Sequence, residues 1–546
     1  MTGKLIERTP SAYGHPLLIR SLFRSSMTLA SDQEIVYADR KWYSYREFGE
    51  RVNRLASGLA SLGVASGHTV AVMDWDTPRY LECFFAIPMM GAVLHTVNVR
   101  LSPEQILHTI NHAEDDVILV NGEFLPILER IWDRVDPGKK LVLLNDAGIA
   151  PETRLPLEAE YEALLAKSDP DYAFPELDEN TQATTFYTTG TTGLPKGVYF
   201  SHRQLVLHTM AVRAALAGTG HGRFNEGDVY MPVTPMFHVH AWGLPYVATV
   251  LGVKQVYPGR YAPDSLLDLF ANEKVTFSHC VPTILQMILA SANKRAIDLT
   301  GWKMIIGGAA LPQALAKQAL EAGMDLLAGY GMSETGPVLT LSHLRPYMES
   351  WDIDRQVEVR CRTGRTISMV QIRIVDEAMN DVPHDGQSQG EIVARAPWLT
   401  QGYLKDPVNS EKLWAGGWLH TGDIAVIDKE GYIRITDRLK DVIKTGGEWV
   451  SSIDLEDLIL KYPGVTEAAV IGVPDPKWSE RPLAVVVTSP GQELTSGQIR
   501  THLRDFASRG LISGYAVPEQ IVFVDASPKT SVGKLDKKVL REQYAK

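Results

Sequence analysis

The sequence predicts an α/β chain that ends in a smaller α+β unit, and three observations carry the prediction. Apolar, β-prone runs alternate with amphipathic stretches through much of the chain, the pattern of strands interleaved with covering helices. From about residue 369 the texture changes to short strands of alternating polarity separated by Gly, Pro and Asp, as in antiparallel hairpins. A charged strip over 437–449, holding the paired glycines Gly446 and Gly447, then leads into a compact stretch of strands and helices.

Taken in order, residues 45–63 and 102–113 read as amphipathic helices, the second started by Ser102 with Glu104 and Gln105. Residues 68–75, 92–99, 115–121, 276–282 and 303–309 read as strands. The later texture predicts strands over 369–376, 390–396 and 431–437, then strands at 467–474 and 482–489 with helices near 453–461 and 495–508. A domain boundary is expected near Asp437–Lys440. There is no fixed-period repeat and no low-complexity tract.

Composition narrows the function classes. With 54 Lys and Arg against 65 Asp and Glu the formal net charge is −11, whereas general nucleic-acid binding needs a cationic surface. Three widely spaced cysteines, Cys83, Cys280 and Cys361, form neither a disulfide framework nor a zinc-type pair. A reducing cytoplasm is therefore expected. The first residues lack a long apolar run, and no stretch of about 18 apolar residues occurs; neither a signal peptide nor a membrane span is expected.

The stretch 184–201 carries the strongest chemical signal. Between two β-prone runs lie Thr188, Thr189, Gly190, Thr191, Thr192, Gly193 and Lys196. Glycines let backbone N–H groups approach an anion, hydroxyls add donors and lysine adds a mobile positive charge. The loop reads as a polyphosphate cradle. It is not a Walker A loop, because Pro195 precedes the lysine, Gly197 follows it and a strand comes next. The helix starts later, at Ser201, with Gln204 completing a capping box.

Residues 188–197 resemble the signature of the adenylate-forming superfamily, which includes acyl-CoA synthetases, luciferases and peptide-synthetase adenylation domains. Further motifs follow in the family's order: 329–336 around Tyr330 and Glu334, 418–423 ending at Asp423, 431–441, 444–448, and 528–534 ending at Lys534. The resemblance implies a large N-terminal domain of mixed α/β subdomains with a β-barrel-like subdomain (1–436), a hinge (437–441) and a small mobile α+β domain (442–546). It implies ATP, Mg²⁺ and coenzyme A as cofactors, and a carboxylic acid activated to an acyl-adenylate and passed to a thiol. Such chemistry joins two anions, so catalysis is mainly charge neutralisation and alignment.

By family position Lys534 bridges carboxylate and α-phosphate, Glu334 and Thr189 hold Mg²⁺, and Thr335 donates to the α-phosphate. Tyr330 stacks on adenine and Asp423 accepts both ribose hydroxyls. Arg438 reaches ribose or phosphate. Nucleotide contacts are also expected along Gly308, Ala309, Gly329, Gly331, Met332, Ser333 and Ile435. Lys440 is the hinge residue. Gly446, Gly447 and Glu448 move toward the thiol tunnel, with Lys444 and Trp449 near the nucleotide.

The stretch 235–245 resembles the family's aromatic-His motif, with His238 between carbonyl site and thiol tunnel. His240 gives a metal-like spacing, but no third ligand clusters there and no metal is expected. His238 stands where amino-acid-activating relatives carry Asp, which argues against an amino-acid substrate. Acetyl-CoA synthetases carry Trp at the position of Gly331, and glycine is expected to leave that space open. Gly307, Gly308 and Ala309 are expected to form a pocket wall of small residues, with Trp242 lining or gating an alkyl tunnel or packed as core. A medium- or long-chain fatty acid is the expected substrate. A short thioether, branched or aryl acid, and an enzyme loading a carrier protein, are the alternatives. Homodimer contacts through Pro10–Ser25 and peripheral contact with a membrane supplying a lipid substrate are further expectations.

Overall fold

The β-prone runs pair into four sheets. The computed structural model describes the chain apart from residues 1–2, 40, 147–150, 189–193, 219, 446–447, 510, 530–534 and 546, and the side chains at 41, 444, 448 and 449. One sheet has seven strands, in spatial order Leu157–Glu160, Lys140–Leu144, Val117–Asn121, Thr69–Met73, Val93–Thr96, Gln182–Thr188 and Lys196–Ser201. All its neighbours are parallel except the last pair. The other large sheet has nine: Arg365–Thr366, Val338–Leu341, Asp325–Gly331, Lys303–Ile306, Phe277–Cys280, Val229–Pro232, Lys254–Tyr257, Glu34–Tyr37 and Lys41–Ser44. It is parallel in the middle and antiparallel at both ends.

Central strands such as Thr69–Met73 and Val117–Asn121 are buried along their whole length, which is why they read as continuous apolar runs. Every residue of helix Pro78–Met89 is buried, the signature of a helix enclosed on all sides. Ile19–Leu29, Tyr45–Ser61 and Leu244–Leu251 join the same hydrophobic cluster, which also takes Leu119 from one sheet and Tyr257 from the other. Each large apolar side chain so enclosed contributes about 1.5–3 kcal/mol. Capping boxes at Ser44–Glu47, Ser102–Gln105 and Ser201–Gln204 fix three helix starts, the last two as the sequence predicts.

The later texture resolves into an antiparallel sheet of Gln371–Val375, Gly390–Arg395, Leu419–Ile427 and Ile433–Arg438. A separate sheet of Glu448–Val450, Ile443–Thr445, Ser479–Thr488 and Val465–Asp475 follows, with Gln520–Phe523 added parallel to Ser479–Thr488. With helices Ser452–Leu460 and Ser496–Ser508 it has its own core of Ile443, Leu455, Val470, Val486, Ile499 and Leu503. The expected fold class holds, with mixed α/β sheets in a large N-terminal part and a small C-terminal one. The segment Pro10–Ser25 is not wholly a free arm: Leu18, Ile19, Leu22 and Phe23 are buried, because helix Ile19–Leu29 packs beside Leu244–Leu251 and Pro78–Met89.

Candidate active site

Hydrogen bonds join the C-terminal ends of the parallel strands of the two large sheets, the usual ligand site of such sheets. Asp76, just past Thr69–Met73, accepts from the Met236 N–H at 2.7 Å, just past Val229–Pro232. Thr96, closing Val93–Thr96, donates to the Phe237 carbonyl at 3.0 Å. Two clusters of functional side chains gather along this junction.

The first is Tyr330, Asp423 and Arg438. Tyr330 lies near the end of strand Asp325–Gly331, and Asp423 and Arg438 face each other across the antiparallel pair Leu419–Ile427 and Ile433–Arg438. The Tyr330 hydroxyl donates to Asp423 Oδ2 at 2.6 Å, and Arg438 Nε lies 2.6 Å from Asp423 Oδ1. Asp423 is 1% exposed, and its carboxylate is met by side chains from two other motifs, Oδ2 through the Tyr330 hydrogen bond and Oδ1 through the Arg438 ion pair. Burial, reinforced by Asp423, raises the Tyr330 pKa, so its hydroxyl stays a donor.

The second is Glu334, Tyr403 and Lys196. Glu334 sits in the single turn Ser333–Thr335 and accepts from the Tyr403 hydroxyl at 2.7 Å. Lys196 Nζ stands 4.7 Å from the centre of the same Tyr403 ring, a cation–π distance. Burial raises the Glu334 pKa, opposed by the Tyr403 hydrogen bond and by Arg438 and Lys196. Lys196 and Thr188 are cross-strand partners at the base of the loop expected to cradle phosphate. Nothing in the sequence singles out Tyr403, because one tyrosine in Gln401-Gly402-Tyr403-Leu404 forms no motif that marks chemistry.

Thr335 is fully buried, and its hydroxyl donates within its own turn, toward the Pro337 and Met332 carbonyls. Gly329, Met332 and Ser333 are half-buried beside it, and Ile435 donates its N–H to Thr363 Oγ1 at 2.9 Å. Lys440 is exposed two residues past strand Ile433–Arg438. The described part of 444–449 runs as the hairpin Ile443–Thr445 and Glu448–Val450. Thr189, Gly190, Thr191, Thr192, Gly193, Gly446, Gly447 and Lys534 lie outside the described residues, as do the side chains of Lys444, Glu448 and Trp449.

The aromatic-His stretch makes an unusual turn. Val239, His240, Ala241 and Trp242 have φ of 49°, 53°, 47° and 59°, and Gly243 has 74°. Four consecutive non-glycine residues thus form a left-handed turn, which costs each of them about 1–2 kcal/mol and marks functional sites more often than neutral ones. The turn separates its two histidines. His238 is exposed. His240 is fully buried among Phe84, Phe186, Phe200 and Tyr246, with its pKa lowered to about 3 by burial. Trp242 packs on His279 with ring centres 5.1 Å apart, and a Cβ on Gly307 would lie 3.0 Å from its ring. Gly307 is therefore a small-residue surface against Trp242, while Gly308 and Ala309 are exposed just beyond.

Gly331 requires a correction. A Cβ there would fall 1.6 Å from the Pro337 carbonyl oxygen. Glycine at 331 is imposed by this close backbone approach, so its lack of a side chain is no measure of open acyl space.

Residues 23–404 match the AMP-binding enzyme family and residues 454–534 the AMP-binding enzyme C-terminal domain. The chain is 43% identical over 509 residues to a long-chain-fatty-acid–CoA ligase of Thermus thermophilus, spanning 92% of this chain and 90% of that one. It is 38% identical over 540 residues to a 3-methylmercaptopropionyl-CoA ligase of Ruegeria lacuscaerulensis, spanning 97% of each. The solved structure of ATP-bound MatB from Rhodopseudomonas palustris matches with a TM-score of 0.81 at 26% identity, covering 96% of this chain and 98% of that one. Motif order, fold and kinship agree: the chain belongs to the AMP-binding enzyme family of adenylate-forming enzymes, among the acyl-CoA synthetases.

Proposed function

We propose that this enzyme activates a medium- or long-chain fatty acid in two steps. A carboxylate oxygen attacks the α-phosphorus of ATP, and pyrophosphate leaves with the bridging electron pair. The thiol of coenzyme A then attacks the acyl carbonyl, the bond to AMP breaks, and acyl-CoA, AMP and the thiol proton are released. The observation that carries the reading is the apposition of the two clusters, Tyr330–Asp423–Arg438 and Glu334–Tyr403–Lys196. Together they offer a buried carboxylate suited to ribose hydroxyls, cations for phosphate, and an acid beside the phosphate loop.

Asp423 takes the ribose, Tyr330 the adenine, and Lys196 with Thr188–Gly193 the β- and γ-phosphates. Glu334 and Thr189 would hold Mg²⁺, whose charge offsets that of the phosphates. The donors fit, since one acid and one hydroxyl are the few hard oxygens expected for an ion bound mostly through phosphate. Lys534 aligns the carboxylate with the α-phosphate. His238 and the strained turn border the acyl carbonyl, and Trp242 lines or gates the tunnel. The domains divide at 437–441 with Lys440 as hinge, supported by the start of a separate core at Ile443. Action in the cytoplasm, contact with a lipid surface and a homodimer through the exposed part of Pro10–Ser25 belong to the same proposal.

A kcat/KM profile over acids from acetate to palmitate, together with aryl and thioether acids, tests the substrate. A maximum at octanoate or longer supports the reading. A maximum at a short thioether acid supports the second one, favoured by kinship to the Ruegeria enzyme.

A further inference from the structure

The helix Pro103–Ala113 presents two histidines, one turn apart, to the two ends of the phosphate loop. His108 Nε2 lies 3.2 Å from the carbonyl oxygen of Pro195, immediately before Lys196. A carbonyl only accepts, so His108 carries a proton on Nε2. His112 Nδ1 lies 2.8 Å from the hydroxyl of Tyr187, immediately before Thr188. Burial, with Asp115 and Glu114, raises the Tyr187 pKa, while burial, His108 and Lys405 lower that of His112. A neutral His112 therefore accepts from the Tyr187 O–H and keeps its own proton on Nε2. The two imidazoles lie 5.1 Å apart.

Each histidine thus grips one stem of the loop. Tyr187 and Gly197 are cross-strand partners, as are Thr188 and Lys196. The grip is backed on both sides. The Tyr187 ring packs 5.2 Å from His95, a fully buried imidazole whose Nδ1 lies 2.9 Å and 3.0 Å from the two oxygens of the equally buried Asp115. Opposite, the Leu404 N–H donates to the Gly197 carbonyl at 2.8 Å, and Lys405 Nζ donates to the His112 carbonyl at 3.1 Å. A Cβ on Gly197 would lie 3.1 Å from Leu404 and 3.2 Å from Tyr187, so the stem is packed without slack.

We propose that His108 and His112 are positioning residues for ATP binding: from one helix face they hold both stems of the phosphate loop, fixing their separation and hence the aim of Lys196. The proposal rests on reading the loop as the triphosphate site. Neither histidine is required to touch the nucleotide. Stems fixed before the nucleotide arrives raise affinity, because less ordering remains to be done on binding.

The test uses the full-length enzyme with ATP, its best acid from the chain-length profile, and coenzyme A. Each substrate is varied in turn, and ATP binding is measured directly by calorimetry. His108→Phe keeps the ring volume but loses the donor, Tyr187→Phe loses the hydroxyl alone, and His108→Gln keeps an N–H able to reach Pro195. The expected result is a rise of about tenfold in KM and Kd for ATP in both Phe variants, the size of one lost hydrogen bond. KM for the acid and for coenzyme A stays unchanged, and His108→Gln recovers most of the loss. Unaltered ATP affinity in both Phe variants overturns the proposal. So does an equal rise in all three KM values, or a Gln variant as impaired as the Phe variant, since each marks a merely structural role. A wild-type enzyme that binds no ATP overturns the nucleotide reading itself, and the clamp with it.

Discussion

Tyr403 joins two groups that the sequence assigns to separate motifs, donating to Glu334 while its ring faces Lys196. A hydrogen bond to a charged group is worth about 1.5–3 kcal/mol, so Tyr403→Phe is expected to slow acid-dependent ATP–pyrophosphate exchange about tenfold or more. Exchange at the wild-type rate would show that the hydroxyl does not orient Glu334. Asp76 supplies a pH signature. Burial pushes its pKa from 3.8 up to about 7, opposed by the Met236 N–H and Arg100. The fold thus favours the protonated acid, and this contribution is complete below about pH 4 and lost as pH rises through about 7. Each tenfold change in proton affinity on folding is worth about 1.4 kcal/mol. Asp76→Asn keeps an acceptor for Met236 and cannot titrate, so its Tm should fall less than the wild type's between about pH 5 and pH 8. Parallel Tm curves would refute this. Glu334, Asp423 and Lys196 were legible in the sequence because their motifs carry dense chemical signatures. Tyr403, Asp76 and the histidine pair were not, since each acts through a partner far along the chain.

Elements with strong periodicity read well. The helices at 45–63 and 102–113 appear as Tyr45–Ser61 and Pro103–Ala113, and the strand at 115–121 as Val117–Asn121. Elements fixed by tertiary pairing did not. Glu34–Tyr37 is a strand because it pairs with Lys254–Tyr257, far along the chain, and four residues carry too little period to announce it. The left-handed turn at 239–242 was equally hidden, because Val, His, Ala and Trp give no local reason for positive φ. It yields its own prediction. At Ala241 glycine would relieve about 1–2 kcal/mol of left-handed strain, against a similar loss of backbone entropy and one buried methyl. Ala241→Gly is therefore expected to leave Tm nearly unchanged while lowering kcat/KM for the acid, as His238 and Trp242 lose their fixed aim. A fall in Tm typical of a helical Ala→Gly change would mean that the turn is right-handed in solution.

At the scale of the whole molecule, an acidic chain of net charge −11 is assigned polyanionic substrates. Under the proposed function the positive charge is local, at Lys196 beside Tyr403, at Arg438 beside Asp423 and at Lys534, since fields from distant surface acids are screened within about 8–10 Å. Placing Lys534 on that unit predicts that the two half-reactions separate genetically. Lys534→Ala should abolish adenylate formation yet still convert preformed acyl-AMP and coenzyme A to acyl-CoA; loss of both steps would contradict its assigned role. The central claim is the order of chemistry, acid to adenylate to thioester, and a single-turnover assay reads it directly. Enzyme is mixed with ATP, Mg²⁺ and octanoate, and pyrophosphate, AMP and acyl-CoA are followed before and after coenzyme A is added. Pyrophosphate and enzyme-bound octanoyl-AMP are expected in equal amounts first, then AMP and octanoyl-CoA only once the thiol is present. Formation of ADP and phosphate, or no pyrophosphate with any acid from acetate to palmitate, would contradict the claim.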